Sequence, residues 1–378
     1  MFKLYCRIFQ LLMKIGFYII PMKEPIRIEG AGCIKKIKDI LQSHHCHKPL
    51  LISGPTITKL GLFEPVLANN PEIVVYSGAI NEPTDVQVEE ARQVYLDNHC
   101  DCLIAFGGGS PIDLCKAVGA RLVCPNKSVK KLQGIMKVRK KIPLLIAVPT
   151  TAGTGSERTI AAVITCAHKK PINDPCLMPD YALLDPLLTL NLGHDMTLNT
   201  ALDALTHALE AYLNTTYQTK QTRQDAIEAV RLIYTSLEPC LEDPNNIDYR
   251  LNLLIASYLA GAAFTRNCVG YVHALGHAMG SIYHISHGKM MGMLLLPVLK
   301  SYPEDTQICL EALYKDVGGK ENSIYQWLEK IVPKADFSFI QEADIEKIAI
   351  LASREANPLY PVPCIYNRKD LHNFIKKL

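Results

Sequence analysis

Residues 102–117 read CLIAFGGGSPIDLCKA. An uninterrupted apolar run ends on three glycines, and a helical pattern follows. An apolar run bounded by glycine is a strand buried on both faces, and a tight turn from it into a helix is the junction of a βαβ unit. Working outward, three more runs repeat the pattern: PLLISG (49–54), EIVVYSG (72–78) and PLLIAVP (143–149). Amphipathic stretches at 84–98 and 110–124 lie between them. The first half therefore reads as a Rossmann-like α/β domain with a parallel sheet.

From about Thr197 the pattern changes. Helical periodicity covers 200–213, 221–237 and 249–266, and strand signals cease. The boundary falls near His194, after DPLLTLNLG (185–193). This gives an α/β dinucleotide-binding domain over 1–193 and an all-α domain over 194–378, in line with roughly 150 residues per domain. Hydrophobic residues make up 48% and charged residues 20%, which excludes a disordered or collagen-like chain.

Partners and compartment follow from charge and cysteine. Forty Lys+Arg against 37 Asp+Glu give +3, too balanced to point to nucleic acid. The tract 127–141 holds seven basic residues without an acid, but no aromatic interleaves it, so it reads as a solvated loop. Thirteen scattered cysteines read as reduced thiols of a cytoplasmic protein. The run IFQLLMKIGFYII (8–20) is too short to span a bilayer. Lys3, Arg7, Gln10 and Lys14 fall on one helical stripe. Residues 1–17 are therefore expected to form an extra amphipathic helix of the first domain, with its apolar face packed on the body or in a homodimer interface, and a membrane-surface anchor as the alternative.

Three features could carry chemistry. In 107–113, glycines permit close backbone approach, with Ser110 expected as helix N-cap and Pro111 at the first helical position. Bare amides at that helix start suit a pyrophosphate. VPTTAGTGSE (148–157) is a second polar loop after a strand, offering Thr150, Thr151, Thr154 and Ser156 hydroxyls. Two such loops at the carboxyl ends of neighbouring parallel strands define a ligand crevice. The third feature is metal-like. Asp203 and His207 stand one helical turn apart, and His273, His277, His284 and His287 lie within 15 residues. One carboxylate and three imidazoles suit Fe²⁺ or Zn²⁺. Spacing leaves open which three imidazoles bind. Gly276 and Gly280 are expected to leave room around them.

The motifs GGGSPID (107–113), PTTAGTGSE (149–157), LLDPLLT (183–189), ALDALTHALEAY (201–212), LAGAAF (259–264) and GYVHALGHAMGSIYHISHG (270–288) occur in one order. In them the chain resembles the iron-containing, group III alcohol dehydrogenases of the dehydroquinate synthase-like superfamily. The resemblance implies Asp203, His207, His273 and His287 as metal ligands for Fe²⁺, with Zn²⁺ as the alternative. It implies His277 as a catalytic group beside the nicotinamide. Gly107, Gly108, Gly109, Ser110 and Asp113 match the pyrophosphate turn; Thr150, Thr151 and Thr154 match the second cofactor loop. Lys169 and Leu188 match cofactor-side positions.

The implied reaction is hydride transfer between a small alcohol or aldehyde and NAD or NADP. A glycerol dehydrogenase, a hydroxyacid–oxoacid transhydrogenase and a dehydroquinate synthase-like lyase are the alternatives. One departure bears on the cofactor. Members that use NAD often carry Asp at the end of the first strand, where this chain has Gly54. An acid there accepts from a ribose 2′-OH, so its loss leaves NADP acceptable.

Overall fold

A computed structural model of the chain describes residues 1–20 and 22–378. Two compact units are present. One comprises Pro21–Leu192 and Pro244–Tyr258; the other comprises Met1–Ile20, Gly193–Asp243 and Leu259–Leu378. The chain changes unit at Gly193, but two segments cross over. Residues 1–17, expected with the α/β domain, group with the helical unit, and 244–258, expected with the helices, group with the α/β unit. The helix Ile247–Asn267 begins in one unit and ends in the other.

Among the described residues the α/β unit contains nine strands: β1 (Ile26–Glu29), β2 (Pro49–Ser53), β3 (Val74–Tyr76), β4 (Cys102–Gly107), β5 (Gly134–Ile135), β6 (Leu145–Pro149), β7 (Ala161–Thr165), β8 (Lys169–Asn173) and β9 (Tyr181–Leu184). Six form one sheet in the order β1-β9-β6-β4-β2-β3, with every pairing parallel. The four apolar runs of the sequence are β2, β3, β4 and β6. Every residue of β2, β4 and β6 is buried, because alternate side chains enter cores on opposite faces. Leu50, Ile52, Leu103, Ala105, Leu145 and Ala147 face one core. Leu51, Ile104, Phe106, Ile146 and Val148 face the other.

Strands β5, β7 and β8 form a small second sheet. The basic tract 127–141 is not wholly loop. It contains a short helix, Val129–Leu132, and β5.

Among the described residues no strand follows β9. The helical unit is centred on the helix His194–Leu213, which is buried throughout 201–213 and packs against the helices Lys220–Glu242 and His287–Ser301. Its first helix, α1 (Phe2–Ile19), is amphipathic as expected, and of its two faces the polar one packs on the body. Gln10 is fully buried and donates through Nε2 to the carbonyls of Pro358 (3.0 Å) and Tyr360 (2.8 Å). Arg7 donates to the Pro363 carbonyl at 2.9 Å and to Gln10 Oε1 at 2.9 Å. The irregular segment 358–363 carries carbonyls that need donors, and the polar stripe supplies them. The apolar stripe faces outward.

Candidate active site

The helix that opens the pyrophosphate-type turn starts two residues earlier than expected. It spans Gly109–Val123, with Gly108 as N-cap and no side-chain cap; Ser110 and Pro111 lie inside its first turn. Packing explains the shift. A Cβ on Gly108 would lie 3.1 Å from Thr151 Oγ1, and one on Gly109 would lie 2.9 Å from Thr154 Cγ2. The second loop thus sits directly against the first. Gly107, at φ +150°, accepts from the Thr150 amide at 3.0 Å, so the ends of the neighbouring strands β4 and β6 are joined there. The first-turn amides carry no side-chain cap, which is what an anion needs.

The same helix anchors the second loop. Asp113 is half-buried; it accepts from Ser156 Oγ and from the Val163 amide (2.9 Å). Burial pushes its carboxyl up, against the pull of Lys116 and these hydrogen bonds. Both Asp113 oxygens are engaged with the protein and hold the second loop against the helix. One turn on, Lys116 is fully buried and donates to the carbonyls of Ser156 (2.6 Å), Thr159 (2.8 Å) and Ala161 (2.9 Å). The sequence signal for Lys116 was a lone cation on the apolar face of the helix.

Lys169 stands exposed at the start of β8, paired with Glu82 at 3.0 Å and close enough to Asp113 for its charge to pull that carboxyl down. Leu188 is buried in one of the two cores beside the sheet.

The metal-like residues converge in the helical unit. Asp203 Oδ1 lies 3.7 Å from His207 Nδ1, 3.7 Å from His273 Nε2 and 3.2 Å from His287 Nε2. Donor atoms of Asp203, His273 and His287 all fall within 4.8 Å of one another. Asp203 Oδ1, His207 Nδ1 and His273 Nε2 are buried with no hydrogen-bond partner. Three orphaned polar atoms aimed at one another would cost several kcal/mol if nothing joined them. A divalent cation with oxygen and imidazole ligands satisfies all of them, so the residues fit such an ion. Burial holds His207 and His287 down, in the neutral form that offers a lone pair. Asp203 is held well below the usual carboxylate range, because the facing imidazoles outweigh its burial. Phe264 stacks on His207 at 4.1 Å and closes one side.

Two carboxylates that sequence reasoning missed orient the imidazoles. Glu210 accepts from His273 Nδ1 (2.6 Å) and from the amides of Gly270 (2.7 Å) and Val272 (2.7 Å). It therefore caps the helix Tyr271–Tyr283 and turns His273 Nε2 toward Asp203. A Cβ on Gly270 would lie 2.7 Å from Glu210 Oε1, so only glycine admits the carboxylate. Against its burial, Glu210 and Asp203 push His273 up to about 9. Glu355 accepts from His277 Nδ1 at 2.7 Å and from the Tyr360 hydroxyl at 3.1 Å. The signals were an acid one turn beyond His207 and a lone acid in an apolar helical pattern, neither of them specific.

His277 stacks on His287 at 5.1 Å and is about a third exposed. His284 ends its helix in the left-handed region and takes no part in the cluster. Gly276 does not make room for imidazoles: a Cβ there would lie 2.0 Å from Met291 Cε, so it admits the neighbouring helix.

Known proteins match both units. Residues 25–186 fit the family model described as iron-containing alcohol dehydrogenase, and 197–378 fit its C-terminal counterpart. An NAD-dependent methanol dehydrogenase of Bacillus methanolicus is 35% identical over 70% of this chain and 71% of that protein. A solved 1,3-propanediol oxidoreductase superposes with TM-score 0.87 at 26% identity, covering 95% of this chain and all of that one. An iron-containing alcohol dehydrogenase of Thermotoga maritima gives 0.82 at 27% identity, over 95% and 99%. A glycine turn feeding a parallel sheet, a carboxylate–imidazole cluster among helices and these matches lead to one assignment: the chain belongs to the iron-containing alcohol dehydrogenase family.

Proposed function

We propose that the chain oxidises small alcohols, and reduces the corresponding aldehydes, by metal-dependent hydride transfer to and from NAD or NADP. The observation that carries this reading is the set of orphaned buried donors on Asp203, His207 and His273, beside His287 Nε2. These four residues would hold a divalent cation, Fe²⁺ by family and Zn²⁺ by donor set. Such a cation supplies Lewis acidity toward the substrate oxygen.

The chain's own residues do the rest. Glu210 fixes the tautomer of His273. Glu355 accepts a hydrogen bond from His277 Nδ1–H, which leaves His277 Nε2 to exchange a proton with the substrate hydroxyl. Its partial exposure gives that proton a route to water. Bare amides at Gly109 and Ser110 receive the pyrophosphate, and the Thr151 and Thr154 loop lies alongside. The substrates named for the relatives, methanol and 1,3-propanediol, support small primary alcohols as the first class to assay. Thirteen free thiols and the absence, among the described residues, of a helix long and apolar enough to cross a membrane support a cytoplasmic setting.

Cofactor choice turns on Gly54. A Cβ there would lie 2.8 Å from the Ala79 carbonyl oxygen, so an acid cannot be placed at this position without moving backbone. Replacing Gly54 by Asp is therefore not a clean probe. The Thr58 hydroxyl beside Gly54 is engaged within the protein, 3.0 Å from Gly54 O and 2.9 Å from Ser77 Oγ. With no carboxylate to repel it, NADP(H) is accepted comparably with NAD(H).

The test is a panel of short alcohols and aldehydes, followed by absorbance of the reduced nicotinamide with each cofactor, before and after chelation and Fe²⁺ or Zn²⁺ restoration. Turnover lost on chelation and restored by metal is expected. Full activity in protein shown metal-free by elemental analysis would overturn the reading. A hundredfold preference for NAD(H) would remove the NADP(H) part alone.

A further inference from the structure

Helix α1 presents its apolar side to the outside. Leu4, Tyr5, Ile8, Leu11, Leu12, Ile15 and Tyr18 are each between 51% and 67% exposed, whereas Cys6 and Gln10 on the opposite side are fully buried. Isolated apolar residues at a surface need no explanation, but a continuous stripe of seven does. The spacing within it is regular. Leu4, Ile8, Leu11, Ile15 and Tyr18 follow one another at intervals of 4, 3, 4 and 3. That is the seam of a coiled coil, with Ile at one core position and Leu or Tyr at the other, the distribution that favours two strands. Tyr5 and Leu12 widen the seam on one side.

We propose that a second copy of this chain covers this face, α1 against α1 across a twofold axis. Three observations select a second copy. The seam carries no charge, so two identical faces meet without repulsion, as an isologous contact requires. The seven side chains offer on the order of 800 Å² per copy, the share one partner brings to a standard interface. The polar side of α1, which a helix lying in a lipid surface would keep in water, is engaged with the protein through Arg7 and Gln10.

Leu11 lies midway between Leu4 and Tyr18. It therefore meets its own counterpart whether the two helices run parallel or antiparallel. In the full-length protein, Leu11→Cys under mild oxidation should give a covalent dimer well above the wild-type background. In a separate variant, Ile8→Asp with Ile15→Asp should halve the wild-type mass measured by light scattering, at unchanged turnover per subunit. Both positions are exposed, so folding is not at stake. Leu11→Cys that crosslinks no more than wild type, or a double variant of unchanged mass, overturns the proposal. Wild-type protein that sediments with phosphatidylserine vesicles, and a double variant that does not, would assign the face to lipid and overturn it as well.

Discussion

Glu210 in the helical unit is a buried carboxylate and Asp113 in the α/β unit a half-buried one; both accept from the backbone, yet they serve opposite ends. Glu210 binds two amides at a helix start and one imidazole, and the result is a set of side-chain atoms left with no partner. Asp113 binds one hydroxyl and one amide, and the result is a loop anchored through Ser156 while the first-turn amides of its neighbour stay uncapped. The helical unit thus offers convergent donors, and the α/β unit offers bare backbone. Substitutions should divide accordingly: chemical changes damage the first, steric changes the second.

The largest effect that tests this division is at His277. It shares a helix face with His273, but its Nδ1 is tied to Glu355, whereas the Nδ1 that His207 turns toward Asp203 is buried without a partner. His277→Ala should lower kcat by roughly 10²-fold, the usual contribution of a general acid–base group, with bound metal retained. Elemental analysis decides the matter. A variant that arrives metal-free would move His277 into the convergent set.

Next comes Glu210→Gln. The amide keeps one oxygen for the Gly270 or Val272 amide but loses the charge that orients His273. Metal affinity should fall about 10- to 100-fold, the range for outer partners of metal-bound histidines. Competition against a metal-responsive dye measures it. A variant that loses thermal stability and keeps its affinity would make Glu210 a helix cap and nothing more.

How much of this was legible beforehand follows the same division. Strands β2, β4 and β6 are buried on both faces, so each is a plain apolar run and stands out. Strand β1, Ile26–Glu29, lies at the sheet edge with three of its four residues exposed, and its alternating IRIE gives no such run. The hairpin of β7 and β8 begins its second strand on two lysines. Asp203, His207, His273 and His287 were visible because metal donors come from few residue types at helical spacing. Glu210, Lys116 and Glu355 were not, because a buried charge is defined by its partners, which lie 63, 40 and 78 residues away. The stripe on α1 was legible, but its direction was not. Periodicity tells that two faces differ; only the carbonyls of 358–363 decide which one turns inward.

In the α/β unit the corresponding test is steric. Gly109→Ala places a Cβ 2.9 Å from Thr154 Cγ2 and 3.0 Å from its Oγ1, so the second loop must retreat from the helix start. The retreat displaces the amides that receive the pyrophosphate. KM for the dinucleotide should rise about tenfold, the 1.4 kcal/mol equivalent of one charge-assisted hydrogen bond, with metal content unchanged. Equal KM in both proteins would show that the loops tolerate separation and that backbone approach is not what the α/β unit contributes.

The last effect is on stability rather than turnover, and it concerns the one place among the described residues where the α/β unit does leave a buried carboxylate oxygen without a partner. Glu157 is 1% exposed, and its Oε1 has no hydrogen bond. An orphaned carboxylate can be relieved by a cation or by a proton. At Asp203 facing imidazoles keep the group ionised. At Glu157 burial dominates, backbone hydrogen bonding and Lys116 oppose it only in part, and the group is pushed up to about 7. The sign follows. Below about pH 4.5 the carboxyl is protonated in both folded and unfolded chains, and its ionisation costs nothing. As pH rises from there to about 7 the unfolded chain releases the proton and the folded one keeps it, so stability falls; above 7 the loss is complete. At 1.36 kcal/mol per pKa unit this is on the order of 3 kcal/mol. Glu157→Gln has no proton to release. Its stability relative to wild type, from denaturant unfolding, should therefore improve between pH 5 and pH 8 by a few kcal/mol. A difference between the two proteins that is the same at both pH values would mean that Glu157 is ionised in the folded state throughout, and that the orphaned oxygen is relieved by a cation in this unit too.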